Sequence, residues 1–374
     1  MDLHGKKGTG LICRNGPKGA LHKLAPSPFP RTHAARIAAV TAVVAAFLTW
    51  PVAGAEPATV LGCREQWSTF FGGREVTLHF TARSEEPVDG RMLWSHAADG
   101  RTIARGELAV KVKPGGESEA EIVLRLPEVR EGVVFDTQLN VLLVDREDQV
   151  LAREERIVRL FPTDPFVDRR TWLRGLGIVL YDPEGETEAV CEAHDLPYRL
   201  VGTTSALSRV EQGTVVVGEG VSIEDRKSLP EALLRLAAGG VSVLCLAPAD
   251  GDFPFPGGGD DEKQPGRVML CRREVIRELD KRLDADAWPP EGRVAATGLE
   301  LSTSGRDVLL SVGPSPRAWP WLEVVYPQGG RLIVCGFGIV EQWDAGPTPR
   351  WLLLRILERL SESTKRTVVS FEKE

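Results

Sequence analysis

The chain has 374 residues, with 46 Lys and Arg against 53 Asp and Glu, for a net charge of −7. An acidic body disfavours a phosphate backbone, whose binding proteins neutralise phosphates with Lys and Arg, so a nucleic-acid partner is set aside. The length implies two domains, because single hydrophobic cores stop growing near about 250–300 residues.

The first element is a leader. Ile37 to Trp50 reads IAAVTAVVAAFLTW without a charge, and seven Lys and Arg side chains precede it, from Lys6 to Arg36. This apolar run is about 14 residues, short of the roughly 20 needed to span a bilayer. Pro51 and the small residues Ala53-Gly54-Ala55 follow, which marks residues 1–55 as a signal peptide cut after Ala55. The chain is therefore expected to be exported, to the periplasm or outside the cell. An uncleaved anchor is the alternative, and no membrane segment is expected beyond the leader. The leader holds 7 of the basic and 1 of the acidic side chains, so the remainder carries 39 against 52, a net −13. Cys63, Cys191, Cys245, Cys271 and Cys335 remain, an odd number that leaves at least one thiol unpaired. Apolar settings such as VSVLCLAP and RLIVCGFG favour buried free cysteine over a disulfide framework.

Residues 56–162 are written in period two. EVTLHFTA sends Val76, Leu78 and Phe80 to one face, and AEIVLRL and FDTQLNVLLV alternate in the same way. Such alternation marks half-buried antiparallel strands. Turn signals separate them at Gly72-Gly73, Asp89-Gly90, Asp99-Gly100 and Pro114-Gly115-Gly116. About seven short strands with regular turns predict an all-β sandwich. It resembles an immunoglobulin-like module that lacks the Cys…Trp…Cys core.

A linker over 163–170 precedes a change of pattern. GLGIVLY, GTVVVG, VSVLCL and RLIVCG are continuous apolar runs, which suit strands buried on both faces of a mostly parallel sheet. Helices are expected between them. Ser228 with Glu231 forms a capping box, Pro230 lies in the first turn and Gly239-Gly240 provides the stop. Arg273 to Asp284 is amphipathic, and a last helix starts at Thr348-Pro349 and buries Trp351, Leu352, Leu354, Ile356 and Leu360. Between Arg293 and Tyr326 an antiparallel hairpin or edge interrupts the pattern. Residues 171–361 thus read as an α/β domain with a mostly parallel, flavodoxin-like sheet, and 362–374 as a polar tail.

The segments YDPEG, GTVVVGEG, AAGGVSVLCLAP and GGRLIVCGFG, with the closing helix, resemble a class I glutamine-amidotransferase-like domain over Thr171–Leu360. The likeness is nearer to the non-catalytic, β-galactosidase trimerisation-like version appended to glycosidases. It implies a fold without its reaction. Cys245 sits inside a strand, followed by Leu246-Ala247-Pro248 rather than a sharp elbow, and no histidine follows His194 to activate a later thiol. No G-x-S-x-G elbow, phosphate loop or zinc helix occurs. No cofactor and no metal is expected. His79 and His96 are placed on the sandwich surface, and His194 at a helix end, where a cation suits the dipole.

What converges is a set of acids. In open α/β sheets ligands bind beyond the carboxyl ends of the strands. The loops leaving those ends carry Asp182 and Glu184, Glu219, Asp250 and Asp252, and Glu341 and Asp344. Paired carboxylates serve glycoside hydrolysis, and hard oxygens suit Ca²⁺; as loop-tip acids they also simply cap helices and meet solvent. Trp343, between Gln342 and Asp344, is placed to stack on a sugar face. FPFPGGGDDEK (Phe253 to Lys263) reads as a loop near this edge. The residue pattern points to an exported, non-catalytic binding or assembly protein with a protein partner or a glycan, and leaves open a carbohydrate-active hydrolase using these carboxylates. Oligomeric state is not readable.

Overall fold

The computed structural model describes residues 59–255, 264–304, 307–313 and 318–363. The leader and its cleavage point, residues 256–263 of the glycine-rich loop and the tail from 364 on lie outside the described residues.

The period-two half folds into two facing sheets. Its strands are β1 (Thr59–Cys63), β2 (Thr69–Phe71), β3 (Glu75–Ser84), β4 (Val88–Ala98), β5 (Arg101–Val112), β6 (Gly116–Arg125), β7 (Phe135–Val144) and β8 (Val150–Phe161). One sheet has the order β1-β3-β6 and the other β2-β8-β7-β4-β5. Leu78, Phe80, Ile122 and Leu124 of the first pack with Met92, Leu139, Val141 and Leu143 of the second. Asp99 (φ 47) and Gly100 (φ 75) both take the left-handed conformation that a two-residue β4–β5 hairpin requires. His96 is fully buried with Nε2 2.7 Å from Thr137 Oγ1, so the surface position expected for it is wrong. His79 is half-buried, its Nδ1 2.7 Å from Glu65 Oε1.

The second half contains helices α1 (Arg170–Leu176), α2 (Glu186–Ala193), α3 (Thr204–Leu207), α4 (Leu229–Ala238), α5 (Val275–Leu279) and α6 (Pro347–Ser363). Its strands are β9 (Ile178–Tyr181), β10 (Arg199–Leu200), β11 (Thr214–Val217), β12 (Ser242–Leu246), β13 (Gly251–Phe255), β14 (Arg267–Cys271), β15 (Gly298–Ser304), β16 (Asp307–Gly313), β17 (Trp321–Val325) and β18 (Arg331–Cys335). A seven-stranded sheet runs β10-β9-β11-β12-β18-β17-β14. Its first five strands are parallel, while β17 pairs antiparallel with both β18 and β14. A separate antiparallel sheet has the order β13-β16-β15.

This corrects the expectation of a sandwich followed by a mostly parallel, flavodoxin-like α/β domain. The protein is mostly β, 43% strand against 18% helix, and its sheets are mixed. The cause lies in the connections. A parallel pair needs a long crossover, whereas β17 and β18 are joined by the tight turn Tyr326–Gly330, which only antiparallel strands accommodate. The amphipathic stretch from Arg273 supplies only the short α5, because Asp280 leaves the helix in an extended conformation. Ser228 precedes α4 without a side-chain cap; Pro230 in its first turn and Gly240 (φ 97) after its end provide the punctuation.

The two halves share buried surface within the unit Pro57–Glu374. Phe71, Phe161 and Phe166 belong to the same apolar cluster as Trp288, Trp343 and Trp351, and the Phe161 and Trp351 rings meet edge-on at 4.9 Å. Asp284 spans the seam, its carboxylate accepting from the amides and hydroxyls of Ser68 and Thr69 at 2.7–2.9 Å. Among the described residues no helix is long and apolar enough to cross a membrane.

Candidate functional site

The carboxyl ends of β11, β12 and β18 open onto a cleft of about 700 Å³. Its far wall is the segment from Pro290 to Thr297. That wall is held by backbone bonds: Thr297 N–H donates to Gly336 O at 2.7 Å, and Gly338 N–H donates to Ala295 O at 2.9 Å. The approach demands glycine, since a Cβ on Gly336 would lie 2.2 Å from Thr297 O. Glu219, Glu291, Arg293, Thr297, Glu341 and Gln342 supply the polar lining.

Glu219 is the most constrained of these. Its backbone N–H donates to Thr187 Oγ1 at 2.9 Å, which fixes the residue to α2. Its two carboxylate oxygens accept from Val340 N–H (2.8 Å) and Glu341 N–H (2.9 Å). Burial pushes the carboxyl above its ordinary value; the amides pull it down, and neighbouring Glu341 adds to the rise. Among the described residues nothing pairs with the Glu341 carboxylate, which faces the cleft. Gln342 Oε1 is buried without a hydrogen-bond partner.

The other acids named from the sequence go elsewhere. Asp182 is buried, with Oδ2 accepting from Glu188 N–H at 2.7 Å at the start of α2 and Oδ1 unpartnered. Glu184 pairs with Arg226 at 3.0 Å. Asp250 accepts from Ser222 Oγ and Glu224 N–H, and the Ser222 hydroxyl leads in holding its carboxyl below the usual range. Asp252 is exposed on β13, outside the cleft lining. Asp344 pairs with Arg350 at 2.5 Å. Glu219 and Glu341 alone of the named acids meet in one cleft, and among the described residues no group of three His, Cys, Asp or Glu side chains is arranged to hold a metal.

Trp343 is not available for stacking on a ligand: it is 3% exposed. Its ring lies parallel to Phe166 at 6.4 Å, with Arg350 over it at 5.5 Å. Its Nε1–H donates to His194 Nε2 at 2.7 Å. An indole only donates, so that imidazole nitrogen carries no proton. That bond makes His194 an acceptor and corrects the cationic role expected at the helix end, and burial, then Arg350, lowers its pKa in the same sense. The five described cysteines are unpaired. Cys245 and Cys335 are enclosed within their strands, and burial pushes the Cys245 thiol up to about 12 and that of Cys335 further. The three described histidines contact Glu65, Thr137 and Trp343 instead.

Gln342, Arg293 and Thr297 were not among the site residues expected from the sequence. An amide has no titratable signature, and the Pro290–Thr297 wall arrives through long-range backbone pairing. Only the adjacency of Gln342 to Glu341 pointed toward it.

No family model matches the chain, and no curated protein matches it. Solved structures match parts of it. The sporulation control protein Spo0M from Bacillus subtilis is 13% identical with a TM-score of 0.24, over 32% of this chain and 56% of that one. The alkylpurine DNA glycosylase AlkC of Pseudomonas fluorescens, bound to DNA containing an abasic site analog, is 14% identical with a TM-score of 0.20, over 29% and 32%. A Niemann-Pick type C2 protein from the Japanese carpenter ant is 7% identical with a TM-score of 0.22, over 29% and 96%. The chain thus spans about half of the first and a third of the second. Likenesses of this extent establish neither a shared architecture nor a shared ligand.

Proposed function

We propose that this chain is an exported, non-catalytic binding protein whose cleft takes a small hydroxyl-rich ligand such as a sugar unit. The carrying observation is that both oxygens of Glu219 are occupied by the amides of Val340 and Glu341. The most buried acid of the cleft therefore braces its floor. What remains is the Glu341 carboxylate, which calls for ligand O–H or N–H donors, beside the Arg293–Glu291 pair, which offers both kinds of partner.

Hydrolysis is the second reading. One observation favours it: burial raises the Glu219 carboxyl beside a second acid, the arrangement that lets one carboxyl act as acid and the other as base or nucleophile. Titration of the full chain with monosaccharides, followed by isothermal calorimetry, tests binding. Wild type is expected to bind, Glu341→Ala to bind weakly, and neither to cleave aryl glycosides. Turnover by wild type that disappears in a folded Glu341→Gln variant would replace the first reading with the second.

A further inference from the structure

A second recess, of about 710 Å³, lies on the five-stranded sheet of the other half. Strand alternation turns Met92, Leu139, Val141 and Leu143 inward, so Leu93, Asn140 and Leu142 face outward. Register then builds two transverse rows. Glu107 stands opposite Leu93, Leu93 opposite Leu142, and Leu142 opposite Arg153. In the next row Arg105 stands opposite Ser95, Ser95 opposite Asn140, and Asn140 opposite Glu155.

The result is a trough. Its floor, on β4 and β7, is apolar in one row and polar in the next. Its banks, on β5 and β8, each carry one Arg and one Glu. Strands stand roughly 4.8 Å apart, so the floor is about 5 Å wide and the banks about 14 Å apart. Asn140 is half-buried, yet its Oδ1 is covered and has no partner. A turn of that amide offers either a carbonyl or an N–H to an occupant.

We propose that this trough binds a neutral oligosaccharide, with sugar C–H faces on Leu93 and Leu142 and hydroxyls on Asn140 and the charged banks. Charge selects neutral over ionic polymers. The two Arg and two Glu of the banks cancel, and three of the four are already tied: Arg153 to Glu155, and Glu107 to Arg91 at 3.2 Å. A polyanion gains little from such a surface. An extended peptide would need an unpaired strand edge for its main chain. The floor strands have none, since β4 and β7 are paired on both sides, and the free edge of β5 lies on the outer side of its bank, away from the floor. A saccharide matches the remaining pattern, in which an apolar strip is flanked by groups that both donate and accept.

The site is independent of the cleft, and the test separates them. The full chain is titrated by calorimetry with cellohexaose, xylohexaose, maltohexaose and chitohexaose, and with polygalacturonate as the ionic comparison. At least one neutral hexaose is expected to bind, and Leu142→Lys to weaken it about tenfold or more, since each tenfold is about 1.4 kcal/mol. Asn140→Ala is expected to weaken it less, and Arg83→Ala, exposed on β3 of the opposite sheet, to leave it unchanged. If Leu142→Lys shifts the melting temperature, the exposed pair Arg105→Ala and Glu107→Ala carries the test instead. The proposal falls if no neutral hexaose binds at millimolar concentration or only polygalacturonate binds. It also falls if binding survives a folded floor variant, or disappears in Arg83→Ala.

Discussion

Replacing Asp284 with Ala removes the polar tie across the seam. Its carboxylate accepts four hydrogen bonds, from Ser68 N–H and Oγ–H and from Thr69 N–H and Oγ1–H. The two hydroxyls can turn elsewhere, and that of Thr69 already has Thr348 Oγ1 at 3.1 Å. The two amides cannot turn. Each orphaned donor costs about 1–3 kcal/mol when shielded. Ser68 is half-buried, so water reaches its amide in part, while Thr69 is buried and its amide stays shielded; the expected loss is about 3 kcal/mol. Asp284→Asn keeps one acceptor oxygen and is expected to lose about half as much. Guanidinium denaturation followed by tryptophan fluorescence measures both values. A loss below about 0.5 kcal/mol for Asp284→Ala, in the range of ordinary surface changes, would refute the reasoning.

Three further outcomes are expected. The His194 pKa is lowered in the fold, so the unfolded chain takes the proton first, and stability is present above the ordinary imidazole value of about 6.5 and declines as pH falls below it; melting curves from pH 8 to pH 5 show this, and Trp343→Phe, which removes the indole donor, should flatten the slope. Gly336→Ala places a methyl 2.2 Å from Thr297 O and should destabilise by about 3 kcal/mol while prising the cleft wall from β18; an unchanged melting temperature would contradict the packing described. Cys245, with its thiol pushed up to about 12 and no exposure, should resist iodoacetamide in the native protein at pH 8 and react only after unfolding, as read by peptide mass spectrometry.

The strands were more legible than their partners. EVTLHFTA alternates because one face of β3 meets a core, and the continuous runs of β9, β11, β12 and β18 are apolar because both faces are covered. Neither pattern states direction, which is set by the length and content of the connections. In β17 the sequence also misleads: Glu323 marks a solvent face locally, yet it is 1% exposed and compensated by Arg331 and Arg359 from distant elements. The acids of the site failed to converge for a similar reason. A loop carboxylate reads alike whether it faces a ligand, as Glu341 does, or caps a helix, as Asp182 does. Only the position of its partner decides, and Glu188 and Arg226 gave no local sign of theirs. Trp343 looked free because its neighbours are polar, while Phe166, His194 and Arg350, which enclose it, come from elsewhere in the chain.

The aromatic side chains at the ends of β2 and β8 point into the apolar cluster of the other half. Cutting the gene after Pro162 would leave Phe71 and Phe161 without Trp351 and Arg350, a greasy stump where a finished module would present a polar end. Expressed alone, such a fragment should clump or need detergent. The change in strand pattern near that proline is thus a change of style within one fabric, and shuffling the front half onto another protein would require reupholstering its underside first.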